Sequence, residues 1–322
     1  MTIDDIANAL GVSKATVSRA ITGNGRIAPA TRERILRYMD EKDYRPSFVA
    51  QNLATFKTRN IAYTLPTDRE SSGVPFFLNC LIGVSQAAAA RKYDVIVARY
   101  EMPEIRRLVQ DRKADGVVIS RNLADDEIIR YLALRGMPFV VVGTSDAPGV
   151  IQVDHGHRAA ARELTALLLE RWGGKPALIC GDRNHIVNRI RWNGFRDAVI
   201  ARGGDSDEAL VEWGASDAGS VGDAFRRLYA AGVRVFFCSD DMICSRLSRC
   251  LSDAGEERYP GVRMACLYAG GFLGLYRPDV PSIQTDAGAA GECACRVLID
   301  MLSGKDVPGR TELACKILEA GS

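Results

Sequence analysis

Residues 2–22 read TIDDIANALGVSKATVSRAIT, and this stretch decides the fold of the N-terminal part of the chain. Its first half places apolar residues at the i, i+3, i+4 and i+7 spacing of one helix face, which predicts a helix over Ile3–Leu10. Gly11 then interrupts the apolar pattern. Ser13 is a good N-cap, because its hydroxyl accepts hydrogen bonds from the first backbone N–H groups of a helix. We therefore expect a second helix after Ser13 that ends near Ile21.

The residues around the turn are those that a helix-turn-helix needs. Ala7 lets the two helices cross closely, Gly11 makes the tight turn, and Val17 fills the space between the helices. A plain helical hairpin would satisfy the same spacing. The face of the second helix opposite the buried positions carries Lys14, Ala15, Ser18 and Arg19. Lysine and arginine donate hydrogen bonds to guanine O6 and N7, whereas alanine offers a methyl group to thymine, so this face suits the major groove of DNA.

Composition and charge agree with a folded chain that has a basic head. The 322 residues are enough for two or three domains, and 47% hydrophobic with 25% charged residues is typical of a globular protein. The net charge of +2 excludes a polycation, but residues 1–60 carry a net +4 and the remainder a net −2. This asymmetry indicates an anionic partner at the N-terminus. A third helix is predicted to begin at Pro29, with its arginines outside for phosphate contacts.

Targeting signals and metal motifs are missing from the sequence. The opening MTIDDIANAL has no basic and apolar regions of a signal peptide, and no apolar run approaches the roughly 20 residues that span a bilayer, so we expect a cytoplasmic protein with no membrane partner. Nine scattered cysteines without a C-x-x-C pair predict reduced thiols. His155 and His157 are expected in a loop or at a helix start, and we expect no metal and no cofactor.

The rest of the chain alternates β-rich and helical segments. Candidate strands are Ile61–Leu65, Val95–Ala98, Gly116–Ser120, Phe139–Val142, Ala177–Cys180, Val235–Cys238 and Arg263–Leu267. Candidate helices between them are Leu78–Arg91, Arg158–Arg171, Arg189–Ala201 and Asp241–Ser252. The alternation predicts an α/β fold of two lobes, each a parallel sheet covered by helices on both faces. A ligand is then expected at the carboxyl ends of the strands.

Residues 2–55 resemble the DNA-binding head of the lactose-repressor/galactose-repressor family of bacterial transcription regulators. The runs GVSKATVSRAI and YRP carry most of this likeness. The resemblance implies that Lys14 and Ala15 occupy the main base-reading positions and that Arg19 makes a further base contact. It also implies that the DNA backbone is held by Ser13, Thr16, Asn24 and Thr31.

A short helical pattern follows Tyr44-Arg45-Pro46, over residues 47–54. Taken alone it is a linker, because eight residues are marginal as an isolated helix. In the family this segment is a hinge helix that orders on operator DNA. The resemblance implies that Leu53 is the residue wedged into the minor groove, where an apolar side chain partly unstacks a base step, and that Ala50 lies where two hinge helices meet. Otherwise Leu53 packs between domains.

The resemblance extends through the body, more weakly. It is carried by Pro75-Phe76-Phe77, Ala114-Asp115-Gly116, Val153-Asp154, Arg191-Trp192-Asn193-Gly194-Phe195, Ser239-Asp240-Asp241 and Arg277-Pro278. It implies an effector domain of the periplasmic-binding-protein type, with two lobes that clamp a small molecule and are joined by three crossings near residues 155, 285 and 315. The expected domains are a head at 1–45, a hinge at 46–59 and an effector domain at 60–322, with lobe 1 about 60–155 and 286–314 and lobe 2 about 156–285 and 315–322.

The same motif matches predict several residues that line the cleft. Arg191 matches the family arginine that reaches the effector, and a guanidinium suits bidentate contacts to hydroxyls or a carboxylate; the alternative is a surface ion pair. Asp240 stands where the family usually has asparagine, which favours hydroxyl or amine donors on the ligand. Phe76 and Phe77 match an aromatic position that covers a ligand ring, although aromatic residues after a strand are also ordinary core.

Other positions depart from the family. The run Leu267-Tyr268-Ala269-Gly270-Gly271 replaces a common Phe-Asp-Asp, so an acid often used against sugar hydroxyls is missing and Tyr268 takes part of its place. Ser71 and Ser72 are candidate polar contacts. Arg121, just after a predicted strand, is a candidate positive contact for an anionic sugar derivative.

We therefore expect a homodimeric repressor that binds operator DNA and releases it on binding a carbohydrate or carbohydrate derivative. An enzyme and an exported solute-binding protein are the alternatives, since two α/β lobes serve many functions. The sequence lacks G-x-G-x-x-G after the first strand, G-x-x-x-x-G-K-[ST] and G-x-S-x-G, which argues against an enzyme. An exported binding protein would not carry a basic head.

Overall fold

The computed structural model describes residues 1–22, 25–44, 57–67, 74–204, 211–270 and 273–319. The chain divides into two compact units, Met1–Thr58 and Arg59–Ser322, which are treated separately below. Five residues singled out from the sequence lie outside the described ranges, namely Asn24, Ala50, Leu53, Ser71 and Ser72.

The first unit is helical. Its helices are α1 (Ile3–Leu10), α2 (Lys14–Thr22) and α3 (Pro29–Glu41). Gly11 ends α1 in the left-handed conformation, with φ of 62°, which glycine adopts without steric cost. Ser13 Oγ accepts the Thr16 N–H at 3.1 Å, so the predicted cap of the second helix is present. The core is made of Ile6, Ala7, Val17, Ala20, Ile35 and Met39, each at most 6% exposed. The predicted helix-turn-helix is confirmed.

The second unit contains two six-stranded sheets within the described ranges, with strand orders β11-β5-β4-β3-β1-β2 and β12-β10-β9-β8-β6-β7. The strands of the first are β1 (Asn60–Leu65), β2 (Asp94–Arg99), β3 (Gly116–Ile119), β4 (Phe139–Val142), β5 (Gln152–Asp154) and β11 (Arg310–Glu312). Those of the second are β6 (Pro176–Ile179), β7 (Val211–Glu212), β8 (Val235–Cys238), β9 (Arg263–Ala269), β10 (Ser282–Gln284) and β12 (Lys316–Leu318).

Helices cover both faces of each sheet. They are α4 (Val74–Ala90), α5 (Met102–Gln110), α6 (Glu127–Leu134), α7 (His157–Trp172), α8 (Ile186–Ala201), α9 (Ala218–Ala230), α10 (Asp241–Ala254), α11 (Leu273–Tyr276) and α12 (Ala287–Leu302). Alternate strand residues enter opposite cores: in β3, Val118 packs with α4 and α12, whereas Val117 and Ile119 pack with α5 and α6. In the second sheet, α7 and α8 cover one face and α9 and α10 the other. The predicted two-lobed α/β fold is confirmed.

One part of the sheet prediction needs correction. All the strand pairs are parallel except β12, which runs antiparallel to β10 at the edge of the second sheet. The chain arrives there directly from β11 in the other sheet, through a short connection at residues 313–315. Because β11 runs parallel to β5 and so ends at the carboxyl edge of its own sheet, this short connection enters the second sheet at its carboxyl edge, and β12 runs opposite to the neighbouring strands.

The helix pairs that flank the sheets approach at glycines. A Cβ on Gly83 of α4 would lie 2.0 Å from the backbone oxygen of Gly288 in α12, and one on Gly291 would lie 2.0 Å from the oxygen of Cys80. In the other lobe, a Cβ on Gly194 of α8 would lie 2.3 Å from the oxygen of Arg158 in α7. Only glycine permits main-chain contact at these distances.

Candidate functional site

The outward face of α2 is polar and open to solvent. Lys14, Ala15, Ser18 and Arg19 are exposed, whereas Val17 and Ala20 on the opposite face are fully buried. Lys14 Nζ lies 2.8 Å from Asp4 Oδ2, with the two side chains 65% and 58% exposed. An ion pair this exposed contributes roughly 0–1 kcal/mol, so Lys14 exchanges it readily for another acceptor. The predicted base-reading residues therefore share one exposed face.

Residues predicted to hold the DNA backbone lie at the beginnings of helices. Ser13 Oγ and Thr16 Oγ1 are 2.8 Å apart at the start of α2, and Thr31 is half-buried in the first turn of α3. The sequence predicted that the arginines of α3 lie outside for phosphate contacts, but two of them also form hydrogen bonds within the head. Arg34 donates to the Leu10 carbonyl at 2.8 Å, which caps the end of α1, and Arg32 donates to the Ala20 carbonyl at 3.3 Å. Both bonds hold the three helices together.

A cavity of about 330 Å³ lies between the two sheets at the carboxyl ends of their strands. It brings together the predicted residues Phe76, Phe77, Arg121, Arg191, Asp240 and Tyr268. Arg121 follows β3, Asp240 follows β8 and Tyr268 lies near the end of β9, so parallel strand ends deliver side chains to one place. This is the position at which parallel α/β sheets bind ligands.

Arg191 is the most constrained cation in the cavity. It lies on α8, is 6% exposed, and its Cζ is 4.6 Å from the centroid of the Tyr268 ring. Its Nε has no hydrogen-bond partner, and no carboxylate in the described part of the chain forms an ion pair with it. The surface ion pair that we considered as an alternative is therefore wrong for this residue.

Aromatic side chains form one wall of the cavity. The rings of Phe76 and Phe77, both on α4, meet edge to face at 5.5 Å, and Phe76 meets Tyr268 in the same way at 6.1 Å. Arg121 lies with its Cζ 5.0 Å from the Phe77 ring centroid. The wall is apolar with guanidinium groups at its border, which suits a ligand that has both an apolar face and polar edges.

Asp240 has a structural role that the sequence interpretation missed. Its Oδ1 accepts the Ile243 N–H at 2.9 Å and so caps α10, while its Oδ2 accepts the Ser239 hydroxyl at 3.2 Å. Asp241 beside it accepts the Gly270 N–H through Oδ2, and its Oδ1 has no partner. Burial raises the pKa of Asp241 to about 6, against the lowering effects of that hydrogen bond and of Arg191.

His157 opens α7 at the back of the cavity. Burial, assisted by the charge of Arg191, lowers its pKa to about 3, so the imidazole is neutral at physiological pH. Its Nδ1 has no hydrogen-bond partner, and its Nε2 is 3.9 Å from Asp154 Oδ1. Asp154 is held through its other oxygen by the Thr144 hydroxyl at 2.5 Å and by Arg310 at 3.2 Å.

Main-chain bonds join the two lobes at the rim of the cavity. The Ala124 N–H donates to the Asn184 carbonyl at 2.9 Å, and the Ile186 N–H donates to the Asn122 carbonyl at 3.4 Å. Leu123 and His185 form an isolated antiparallel bridge between them. The loop after β3 in one lobe is thereby joined to the segment before α8 in the other.

Further residues line the cavity that the sequence interpretation did not single out. The polar ones are Ser120, Thr144, His157, Asp182, His185, Asn188, Ser216 and Arg246, whereas Asn122, which also lines the cavity, was expected at the end of β3 together with Arg121. Asn188 precedes Arg191 by three residues and so shares its helix face, which is a signal that the sequence contains. Arg246 lies in the second turn of α10, and only the direction of that helix brings it to the cavity.

The described residues show neither a metal site nor a membrane-spanning helix. In the described ranges, no cluster of His, Cys, Asp and Glu side chains has an arrangement that would hold a metal ion. All nine cysteines are unpaired, and Cys80, Cys180, Cys238, Cys244, Cys266 and Cys295 are buried. None of the described helices combines the length and apolar character needed to cross a membrane.

Comparison with known proteins places both units in one family. Residues 2–47 match the family model for bacterial regulatory proteins of the lacI family, and residues 65–316 match the model for periplasmic binding proteins and the sugar binding domain of the LacI family. The HTH-type transcriptional regulator CelR of Thermobifida fusca is 26% identical over 314 residues, which cover 94% of this chain and 92% of that protein.

Solved structures agree with this match. A complex of the transcriptional regulator CelR with cellobiose has a TM-score of 0.73 at 26% identity, and the match covers 99% of each chain. The lac repressor dimer bound to operator and the anti-inducer ONPF has a TM-score of 0.80 over 99% of this chain and 98% of that one; at 20% identity this likeness shows the fold. These relatives are regulators of transcription, not enzymes. The chain belongs to the LacI family of bacterial regulatory proteins.

Proposed function

We propose that this protein is a transcriptional repressor that binds operator DNA as a homodimer and is released by a carbohydrate-type effector bound between its lobes. The observation that carries the proposal is the exposed face of α2, where Lys14, Ala15 and Arg19 lie opposite the fully buried Val17. A helix whose polar face is open and whose apolar face is fixed to a small core suits insertion into a major groove. Family membership supports the same function.

Dimerisation is part of the proposal because one head reads only a few base pairs. A two-fold dimer projects two heads onto inverted half-sites. Helix α4 offers an apolar outer face, since Leu78 and Ile82 are 49% and 54% exposed. Ala87 and Ala88 of the same helix are buried in the lobe. The family resemblance implies a second dimer surface at Cys244–Leu251, where Cys244 and Leu247 are fully buried and Ser245 and Arg249 are exposed, so its outer face would contribute mainly polar contacts.

Control by ligand requires that the cavity and the head be coupled. Closure of the lobes would alter the spacing of the two hinge segments in the dimer, and this spacing decides whether both Leu53 side chains enter the minor groove, with Ala50 at the contact between the hinge helices. The main-chain bonds at the rim support a closed state in which both lobes contact each other directly. We favour induction, in which ligand weakens operator binding.

The cavity suits a carbohydrate-type effector because it has both an aromatic wall and hydrogen-bonding side chains. An aromatic wall at Phe76 and Tyr268 matches the apolar face of a sugar ring, while Arg191, Asn188 and Ser216 supply hydrogen-bonding groups at its edges. CelR, a relative of this chain, has been solved with cellobiose. A carbohydrate or carbohydrate derivative is therefore the class to test first.

The experiment is to select bound sequences from random DNA with the full chain, and then to measure affinity for the selected site by fluorescence anisotropy. We expect an inverted repeat, a dimer by sedimentation at the same protein concentration, and loss of affinity when a ligand that raises Tm is added. Recovery of no preferred sequence, or a monomer with undiminished affinity, would contradict the proposal. A ligand that tightens DNA binding would contradict induction alone.

A further inference from the structure

The described lining of the cavity contains more basic than acidic side chains. Asp240 caps α10 and accepts the Ser239 hydroxyl, and Asp182 Oδ1, at the exposed border, accepts the Asn184 N–H at 2.8 Å. These are the acids among the described lining residues, and the protein's own donors occupy both oxygens of Asp240 and one oxygen of Asp182. The lining cations are Arg121, Arg191 and Arg246.

Arg191 carries the strongest part of this argument. Arg191 as a residue is 6% exposed, and a charge on a residue this buried is normally paired with an opposite charge. Here its Nε has no acceptor, and it forms no ion pair with the described carboxylates. The Tyr268 ring covers one face of the guanidinium, so the N–H groups in its plane remain for a ligand. Planar, bidentate acceptors are carboxylates and phosphates.

The other two arginines extend the positive surface across the cavity. Arg246 on α10 is half-buried and forms no ion pair with the carboxylates in the described ranges. Arg121 comes from the opposite lobe and is held against Phe77. His157 adds no charge, because it is neutral. Three guanidinium groups from α8, α10 and the loop after β3 therefore line the same cavity.

We propose that the effector is an anionic carbohydrate, whose carboxylate or phosphate group is bound by the guanidinium of Arg191 with support from Arg246 and Arg121, while its ring lies on the aromatic wall. The inference rests on the proposed function, since it names the chemical class of the ligand of that same cavity. An anionic group would supply the direct ion pair that Arg191 does not form with the described carboxylates, since the nearby Asp241 interacts with its charge only at a distance. Because Arg121 belongs to the other lobe, the same group also favours closure.

The test compares ligands that differ only in charge. Calorimetric titrations of the full chain use sets such as glucose, glucuronate and glucose 6-phosphate, and galactose with galacturonate. We expect at least one anion to bind about tenfold or more tightly than its neutral partner, since a charge-assisted bidentate contact is roughly twice as strong as a neutral one. The carboxylate and phosphate members show which anionic group the site takes.

Variants separate an anion site from a merely structural arginine. Arg191→Gln is expected to reduce the ratio of neutral to anionic Kd by about tenfold or more, whereas Arg189→Gln, an exposed arginine on the same helix, leaves the ratio unchanged. Loss of packing alone would weaken both ligands equally. Inorganic phosphate, compared with sodium chloride at equal ionic strength, should raise Tm in the parent protein and in Arg189→Gln, but not in Arg191→Gln.

The outcomes decide the matter. Neutral sugars that bind as tightly as their anionic partners would overturn the anionic class and leave the carbohydrate effector intact. Phosphate that stabilises the parent and Arg191→Gln equally, or no response to any of the anions, would also overturn it. An anion that binds through Arg191 but leaves operator affinity unchanged would support the anion site and contradict control of DNA binding by this cavity.

Discussion

Helices α2 and α8 both carry basic side chains that we propose to bind a partner, but in opposite environments. On α2, Lys14 is 65% exposed and already paired with Asp4. On α8, Arg191 is 6% exposed and lacks such a pair in the described part of the chain. When the α2 surface binds DNA, it exchanges one weak contact for another. Keeping Lys14 on that surface therefore costs the unbound protein little free energy. Helix α8 holds a desolvated charge that a ligand can relieve. A recognition surface therefore costs little stability, whereas a binding cavity carries a penalty until it is filled.

The largest expected effect tests the buried side of this comparison. Arg191→Ala is expected to lower effector affinity by about 100-fold and to abolish the response to effector, because a buried charged contact is lost. Operator affinity without effector should stay near the parent value. The free energy of unfolding should be unchanged or higher by about 1–2 kcal/mol, because an unpaired buried charge is removed. Calorimetry, anisotropy and urea denaturation measure the three quantities. An Arg191→Ala protein that still responds fully to its ligand would remove Arg191 from the site.

The second effect concerns pH. Because burial raises the folded-state pKa of Asp241 from 3.8 to about 6, its ionised form destabilises the fold at neutral pH, and this penalty disappears as pH falls through that range. His157 acts in the opposite direction: its pKa falls from 6.5 to about 3, so acidification below its ordinary pKa destabilises the fold.

Asp241→Asn separates these two contributions. We expect the variant to be more stable than the parent by about 2–3 kcal/mol at neutral pH, as the size of the pKa shift implies, with the difference falling to about 1 kcal/mol near pH 4.5. Its stability should also fall more steeply on acidification, since His157 is then unopposed. Urea denaturation between neutral pH and about pH 4.5 measures both trends. A constant difference across that range would mean that Asp241 does not titrate there.

The exposed side of the comparison is tested by Lys14→Ala and Arg19→Ala. Each should weaken operator binding by about 1–3 kcal/mol per half-site and change the preference at particular base pairs. Neither should alter the stability of the head by more than about 0.5 kcal/mol, because both side chains are exposed. Arg37→Ala is a matched control, since Arg37 pairs only with Glu33 on its own helix among the contacts described. If Lys14→Ala leaves the sequence preference unchanged, α2 is not the recognition helix.

The smallest expected effect separates residues that hold the DNA backbone from residues that read its bases. Arg34→Ala should weaken binding to all DNA sequences to a similar degree and lower the stability of the head by about 1 kcal/mol, because the Leu10 carbonyl loses its donor. Thermal unfolding of the head beside that of Arg37→Ala provides the measurement. Equal Tm values for the two variants would show that the carbonyl bond contributes nothing measurable.

The sequence predicted the head more completely than the cavity, for a physical reason. Helix periodicity and the cap at Ser13 are local patterns, so the outward position of Lys14 and Arg19 follows from neighbours within one or two turns. The cavity is assembled by topology. Arg246 reaches it only because α10 follows β8 in the middle of the second sheet, and no local pattern contains that information.

Two further features were not predicted from the sequence, namely the short strands and the second role of Asp240. Strands β5, β7 and β10–β12 have two or three residues each, too few to show an alternating pattern, and they were not predicted. Asp240 was interpreted as a ligand acceptor, and its role as the cap of α10 was missed although the predicted helix start at Asp241 put it at the N-cap position. The cavity positions of Phe76 and Arg191 came from resemblance, and their contacts with Tyr268 came from the fold.

The glycine contacts between α4 and α12 have a consequence for how this protein can diverge. Gly83 of α4 and Gly291 of α12 bring the two helices together through main-chain atoms, so neither position has room for a larger side chain. Leu78 and Ile82 on the outer side of α4 do not contribute to that contact and are about half exposed. Mutations there can accumulate without loosening the lobe. The same helix therefore combines a frozen inner face with an outer face on which new partner preferences can evolve.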